Sequence, residues 1–95
     1  MWQVFEHRGA VRRTTKTPAE VLKRYEKWKD IVTISGPQGL RAIKGFHDES
    51  LTGEWKGHRS SRLGGQFRVI YKVEAQKIAV KVIDLTPLDC RRKGK

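Results

Sequence analysis

Cysteine, long apolar runs and secretion signals are scarce or missing in this sequence. The only cysteine is Cys90, so no disulfide can form within the chain, and no base lies at a spacing that would make Cys90 a nucleophile. No apolar stretch approaches the length of a membrane span. The start, Met1-Trp2-Gln3, has neither the charged nor the apolar region of a secretory signal. These absences predict a cytoplasmic protein that does not associate with a membrane.

Acidic residues are also few relative to basic ones. Lysine and arginine number 21 against 10 aspartates and glutamates, which gives a formal net charge of +11 in 95 residues. Such a charge destabilises the compact state by self-repulsion, and association with a polyanion is the usual reason for it. Membrane-surface binding fits less well, because the best helical segment mixes acidic with basic residues. The charge therefore predicts an RNA-binding protein, and an acidic protein partner stays open.

Signatures of metal and cofactor binding are missing as well. The histidines, His7, His47 and His58, have no cysteine or carboxylate partner at metal-ligand spacing. No glycine-rich phosphate loop leads into a helix, and there is no nucleophile elbow. The sequence therefore predicts neither a metal nor a small-molecule cofactor.

The chain length allows a single domain over residues 1–95. Residues 2–6 alternate as an opening strand, and a short helix is expected within 8–16. Thr17-Pro18-Ala19-Glu20 predicts a helix start with Thr17 as the N-cap, and Gly36-Pro37 predicts its end. Between these signals the apolar residues recur at helical spacing: Val21, Leu22, Tyr25, Trp28 and Val32.

The second half of the chain changes to a period of two. Strands are predicted at about 54–63, 66–73 and 77–84, joined by turns short enough for an antiparallel meander, and 37–53 is a connector with one helical turn near 40–43. The whole is an α+β fold of order β-α-α-β-β-β: a small twisted antiparallel sheet with two N-terminal helices on one face. In the middle strand the predicted core residues are Phe67, Val69, Tyr71 and Val73.

The other side of this sheet is predicted to be basic. Alternation places Lys56, His58 and Arg62 on one side, and if Leu63 shares the core with Phe67, Arg62 stands directly opposite Arg68. Like charges at opposed positions destabilise a sheet, so an anion between the two arginines would be expected. Two alternatives remain at this stage. The charges could be ordinary solvated ones, and a two-residue Gly-Gly turn would separate the arginines onto opposite faces.

Three segments of the chain resemble the RelE/ParE superfamily of toxins from bacterial type II toxin–antitoxin systems, closest in style to members like YafQ and YoeB. The segments read KGFHDE at 44–49, LTGEWKGHRSSRL at 51–63 and FRVIYKV at 67–73. The resemblance covers nearly the whole chain and is most specific over 51–73.

The resemblance implies a microbial-ribonuclease-like fold and cleavage of mRNA on the ribosome, with contacts to ribosomal RNA and no metal or cofactor. It also implies a cognate antitoxin that wraps the toxin. Two alternatives stay open, a non-catalytic homologue that binds RNA or antitoxin and a toxin directed at DNA gyrase.

Position by position, the resemblance also suggests roles for single residues. Arg62 matches the catalytic arginine before the hairpin, and Arg68 matches the basic residue that begins the next strand. The full catalytic set expected on this basis is Arg62, Arg68, His58, Glu49 and His47. The expected RNA-binding residues are Lys44, Lys56, Arg59, Lys72, Arg91 and Arg92.

The sequence departs from the family near its end. Relatives of this group typically read TPHDYRR, whereas residues 86–92 read TPLDCRR, so Leu88 and Cys90 replace a histidine and a tyrosine. Leucine can neither donate nor accept a proton, so the prediction of RNA binding is safer than that of cleavage. If position 88 belongs to the site, Leu88→His is expected to raise cleavage by about tenfold or more.

Overall fold

The computed structural model describes residues 1–64 and 66–87. Within these residues the chain forms three α-helices and one sheet of five strands, with short 3₁₀ turns between them. The elements are β1 (Gln3–Glu6), α1 (Arg8–Arg13), α2 (Ala19–Ser35), α3 (Gln38–Arg41), β2 (Glu49–Ser50), β3 (Arg59–Gly64), β4 (Phe67–Glu74) and β5 (Ala79–Pro87).

Helix α2 carries the predicted apolar stripe. Val21, Tyr25, Trp28 and Val32 are buried against the sheet, which confirms the pattern in the sequence. The helix ends where predicted, because Gly36 takes a φ of +78° that side chains disfavour, and a Cβ there would lie 2.7 Å from the indole nitrogen of the N-terminal tryptophan.

The predicted cap at the start of α2 is wrong. The hydroxyl of Thr17 donates to the carbonyl of Arg13 at 2.8 Å, so it closes the preceding turn instead of accepting from the helix. Pro18 precedes the first helical residue, and no side chain caps it. A threonine hydroxyl can donate to a backbone carbonyl or accept from a backbone N–H, and here the short helix just upstream provides a nearby carbonyl acceptor.

The sheet has the order β1-β5-β4-β3-β2. Strands β3, β4 and β5 form the predicted antiparallel meander, and the α+β class is confirmed. The sheet as a whole is mixed, because β1 runs parallel to β5 at one edge, while the short β2 pairs with β3 at the other. The prediction of an antiparallel sheet is therefore wrong for β1, because no tight turn links β1 to β5 and no local signal sets its direction.

Strand β3 begins later than predicted. Residues 53–55 form a 3₁₀ turn instead of extended chain, and the strand starts at Arg59. Gly53 and Gly57 adopt φ values of +67° and +91°, which interrupt an extended run. The predicted alternation therefore does not extend back to Lys56.

The two sides of the sheet are distinct. We call the side that packs on α2 the helix-side face and the other side the open face. Alternation in β4 follows the prediction, since Val69 and Tyr71 are fully buried in the core and Phe67 and Val73 pack against it. No helix in the described part of the chain is long and apolar enough to cross a membrane.

Candidate nucleic-acid interface

Two arginines stand directly opposite each other on the open face. Arg62 of β3 pairs in register with Arg68 of β4, as the sequence predicted. A bulge at Leu63 sets this register: Leu63 turns into the core, and Gly64 pairs with Phe67. Arg62 is exposed and makes no ion pair within residues 1–64 and 66–87.

Arg68 differs from its partner in being buried, with 4% of its surface exposed. Its Nη1 donates to the hydroxyl of Ser60 at 3.1 Å, and its Nη2 lies 3.7 Å from a carboxylate oxygen of Glu49. The prediction that both arginines are exposed is therefore half right. One guanidinium is held by the fold, and the other is open to solvent.

Glu49 brings a carboxylate to this arginine pair. It lies in β2 opposite Ser60, and its side chain is 58% exposed although it contacts Arg68. A solvent-accessible carboxylate beside fixed cations can accept a proton from a bound hydroxyl group. The structure thus brings together three of the predicted catalytic residues, Arg62, Arg68 and Glu49.

His58 and Lys56 lie away from this group. His58 precedes β3 and is four residues from Arg62, which corresponds to about 13 Å along an extended strand. Its ring centre is 5.3 Å from that of Trp55, and its Nδ1 is 3.4 Å from the carbonyl oxygen of Lys56. His58 also lines an open cleft of about 490 Å³ between α3 and the start of β3, together with Arg41. The Lys56 side chain is exposed.

Two of the three predicted site residues in the 44–49 segment, Lys44 and His47, are also separate from the arginine pair. Lys44 begins a 3₁₀ turn and is exposed. His47 ends that turn in the left-handed conformation, with a φ of 44°, and is exposed as well. Neither side chain forms a hydrogen bond or ion pair with Arg62 or Arg68 in the described part of the chain.

Arg59 was expected to bind RNA, but it belongs to the opposite side of the sheet. Its Nε and Nη2 each lie 2.8 Å from one carboxylate oxygen of Asp48, whose side chain has no exposed surface. Burial opposes the charged form of Arg59, but the hydrogen bond and charge of Asp48 outweigh it and raise the arginine's pKa. This half-buried guanidinium is engaged by Asp48 on the side of the sheet away from the arginine pair.

Asp48 is the centre of a polar cluster that the sequence analysis did not predict. Its second oxygen accepts from Ser61 at 2.8 Å and from the hydroxyl of Tyr71. Ser61 in turn accepts from the indole nitrogen of Trp28 at 3.0 Å. Burial, followed by the hydrogen bond and charge of Asp48, raises the pKa of Tyr71. A tyrosine predicted on a core face needs a partner for its hydroxyl, and that requirement was the available signal.

Solved structures were found with the same arrangement over almost the whole chain. A chain of the archaeal RelE–RelB complex from Pyrococcus horikoshii is 26% identical, with a TM-score of 0.72, covering 92% of this chain and 94% of that one. YafQ from E. coli is 10% identical with a TM-score of 0.75, covering 96% and 98%. The YoeB/ParE toxin from Agrobacterium tumefaciens is 15% identical with a TM-score of 0.69, covering 90% and 96%.

By its fold, this chain is similar to toxins of the RelE/ParE superfamily. No protein-family model matches the sequence, and no curated protein matches it significantly. Shared architecture rather than shared sequence thus carries the likeness, and the predicted resemblance to RelE/ParE toxins is confirmed by the fold.

Some residues that the RelE/ParE resemblance singled out lie outside the described part of the chain. These are Leu88 and Cys90, the sites of departure from the family, and the predicted RNA-binding residues Arg91 and Arg92. Of the remaining RNA-binding residues, Lys72 is exposed on the open face. Within residues 1–64 and 66–87 no group of three or more histidine, cysteine or carboxylate side chains could hold a metal ion.

Proposed function

We propose that this protein is the toxin of a type II toxin–antitoxin system and that it cleaves mRNA on the ribosome. The observation that carries the proposal is the opposed pair Arg62–Arg68, with Glu49 beside it, on the face of the sheet that α2 leaves open. Opposed cations destabilise a sheet in isolation, and a phosphate between or above them removes that cost. The net charge of +11 extends the same preference for a polyanion over the molecule.

The chemistry proposed for this group is cleavage by the ribose 2′-hydroxyl of the RNA itself. Glu49 accepts the 2′-hydroxyl proton, and the 2′-oxygen attacks the neighbouring phosphorus. The P–O5′ bond then breaks, the departing 5′-oxygen takes a proton from water, and a 2′,3′-cyclic phosphate is left on the upstream fragment. Arg62, which is exposed and has no ion pair among the described residues, stabilises the added negative charge of the phosphorane. Arg68 is held by Ser60 and Glu49, so it contributes a fixed positive charge without rearranging during the reaction.

The expected partner is a cognate antitoxin protein. Two of the similar solved structures are complexes of this kind, the archaeal RelE–RelB complex and the E. coli DinJ–YafQ complex. A partner that covers the open face would neutralise Arg62 and exclude RNA from it. We propose that the protein acts in the cytoplasm, in contact with ribosomal RNA and mRNA.

Primer extension on mRNA from translating ribosomes tests the proposal. The wild-type protein should introduce new 5′ ends, and Arg62→Ala should lower the cleavage rate by about a hundredfold, as loss of a transition-state donor typically does. Arg12→Ala is the matched control, because Arg12 is an exposed arginine on α1 and should be dispensable. Equal cleavage by wild type and Arg62→Ala would contradict the assignment of Arg62.

A second candidate is RNA or antitoxin binding without cleavage. It is favoured by the leucine and cysteine at positions 88 and 90, where relatives carry histidine and tyrosine. In that case the protein would protect or block mRNA and create no new ends, while binding would still depend on Arg62. Cleavage of DNA by gyrase in the same cells, with intact mRNA, would instead indicate a gyrase-directed toxin.

A further inference from the structure

A second pair of like charges lies on the open face. Lys72 of β4 and Lys81 of β5 are directly opposite each other in register, and both are exposed. Neither lysine makes an ion pair within residues 1–64 and 66–87. Like charges in this position destabilise the sheet, just as the arginine pair does. The open face therefore carries two pairs of opposed basic residues.

An exposed aromatic ring stands next to the lysine pair. Phe5 of the edge strand β1 is in register with Lys81, and half of its surface, 50%, is exposed. Its neighbour Glu6 accepts a hydrogen bond from Tyr25 of α2, so Glu6 points to the helix-side face and Phe5 to the open face. Phe5 is thus an exposed phenylalanine bordered by a lysine.

These three residues form a row across neighbouring strands. Adjacent strands lie about 4.8 Å apart, so Phe5, Lys81 and Lys72 cover about 10 Å. Lys72 is four residues from Arg68 in β4, about 13 Å along the strand. Asp84, which lies between the two pairs in β5, has its carboxylate 3.5 Å from Arg13 and is therefore partly neutralised. Between the arginine pair and the row lie Ile70, which is buried, and Asp84, which pairs with it in register.

We propose that Phe5, Lys81 and Lys72 form a second subsite for single-stranded RNA, in which a base stacks on Phe5 and the flanking phosphates contact the two lysines. The inference rests on the proposed function, since it extends the path of an RNA bound at Arg62. Aromatic rings on a basic surface are the usual means of holding single-stranded nucleic acid without sequence preference. An acidic protein segment is the competing occupant. RNA is favoured because the register partner of Phe5 is a lysine that itself faces a second lysine, whereas a protein partner would require a contiguous apolar patch.

Binding of labelled oligoadenylates of 4 and 10 nucleotides, measured by fluorescence anisotropy at several salt concentrations, tests this subsite. The 10-mer should reach both subsites and the 4-mer only the arginine pair. Phe5→Ile keeps a residue that favours strands but removes the ring. It should weaken 10-mer binding by about 5- to 150-fold, the range for one stacked base, and leave the 4-mer unaffected.

The lysines are tested by the salt dependence of the same binding. Lys72→Gln and Lys81→Gln should each lower the log–log salt slope for the 10-mer by about 0.7, as expected for one phosphate contact in a single strand. Inorganic polyphosphate has charges but no bases. The lysine variants should weaken its binding, and Phe5→Ile should not. Matched controls are Ile34→Ala and Lys27→Gln, exposed residues of α2 that should change neither affinity nor slope.

The outcomes separate this inference from the proposed function. If Arg62→Ala weakens both oligonucleotides while Phe5→Ile and the lysine variants bind like wild type, the second subsite is wrong and RNA binding at the arginine pair stands. If the wild-type protein binds neither oligonucleotide, both proposals are wrong. If the row variants lose affinity only for poly-glutamate, the occupant is an acidic protein and the inference is overturned.

Discussion

The two faces of the sheet place arginine side chains in different environments. On the helix-side face, Arg59 is held by a fully buried carboxylate through two contacts of 2.8 Å. On the open face, three residues further along the same strand, Arg62 is exposed and faces another arginine. The first arrangement neutralises a charge inside the fold, and the second leaves a charge available to a ligand.

This difference shows that a residue's role follows from its face and not from its place in a motif. Arg59 and Arg62 belong to the same stretch, HRSSR, and to the same basic composition. A buried charge is tolerated when it is paired and hydrogen-bonded, so the helix-side face had to supply Asp48. On the open face the same requirement applies only to the buried Arg68, which Ser60 and Glu49 contact, whereas water or an anion can solvate the exposed Arg62.

Removal of Asp48 should have the largest effect on stability. Asp48→Ala leaves Arg59, Ser61 and Tyr71 without their shared acceptor, and breaking a buried ion pair typically costs about 3–5 kcal/mol. Urea unfolding followed by circular dichroism should show this loss in the free energy of unfolding. Asp30→Ala, an exposed aspartate of α2, is the control and should stay within about 0.5 kcal/mol of wild type.

The two arginines should respond in opposite ways to the same substitution. Arg59→Ala strands a buried carboxylate and should destabilise the fold by about 3 kcal/mol or more. Arg62→Ala should change stability by about 0.5 kcal/mol at most but lower RNA cleavage about a hundredfold. Unfolding and cleavage measured on both variants check the contrast. A stability loss for Arg62→Ala as large as that for Arg59→Ala would mean that the open face is structural as well.

Adjacent serines offer a finer version of the comparison. Ser61→Ala removes a donor to Asp48 and the acceptor for the indole of Trp28, so it should cost about 1–3 kcal/mol and leave RNA affinity unchanged. Ser60→Ala removes one contact of Arg68, but Arg68 retains its contact with Glu49. The variant should lower the free energy of unfolding by about 1 kcal/mol or less and lower cleavage severalfold. Thermal melts and cleavage rates of both variants check this contrast. A larger stability loss for Ser60→Ala, or a larger cleavage loss for Ser61→Ala, would contradict it.

The sequence predicted features that depend on period and local chemistry. Residue spacing predicted the apolar stripe of α2 and the meander. The burial of Leu63 in the core predicted the register of Arg62 with Arg68. The direction of β1 and the short β2 depend on contacts between distant segments, which no local pattern encodes. Asp48 lies in the predicted connector 37–53, and a short acidic run does not show which carboxylate will contact Arg59. Alternation groups His58 with Arg62, but the strand begins only at Arg59, one residue after His58.

Alkaline pH should weaken the packing between α2 and the helix-side face in particular. One tyrosine of the chain, Tyr25, lies in α2, and the other, Tyr71, lies on that face. Burial, and then the hydrogen bonds and charges of nearby carboxylates, raises the pKa of Tyr25 and of Tyr71 above the usual value near 10. Each tyrosine thus stays protonated in the folded chain while it ionises in the unfolded one. Its contribution to stability is complete below about pH 10 and is lost progressively as the pH rises above that value toward the folded-state pKa. Between pH 10 and 11 each tyrosine should remove about 1 kcal/mol from the free energy of unfolding.

Tyr71→Phe isolates the share of one tyrosine in this alkaline loss. The variant is less stable at pH 7, because Asp48 loses a donor, but its stability should fall less steeply above pH 10 than that of the wild type, by about 1 kcal/mol per pH unit. Urea unfolding at pH 9, 10 and 11 measures both curves, and the titration of lysines cancels in their difference. Arg62→Ala, on the open face, should follow the wild-type curve. Parallel curves for Tyr71→Phe and wild type would mean that Tyr71 ionises as readily in the folded chain as in the unfolded one. Its hydroxyl would then not form a buried hydrogen bond with Asp48.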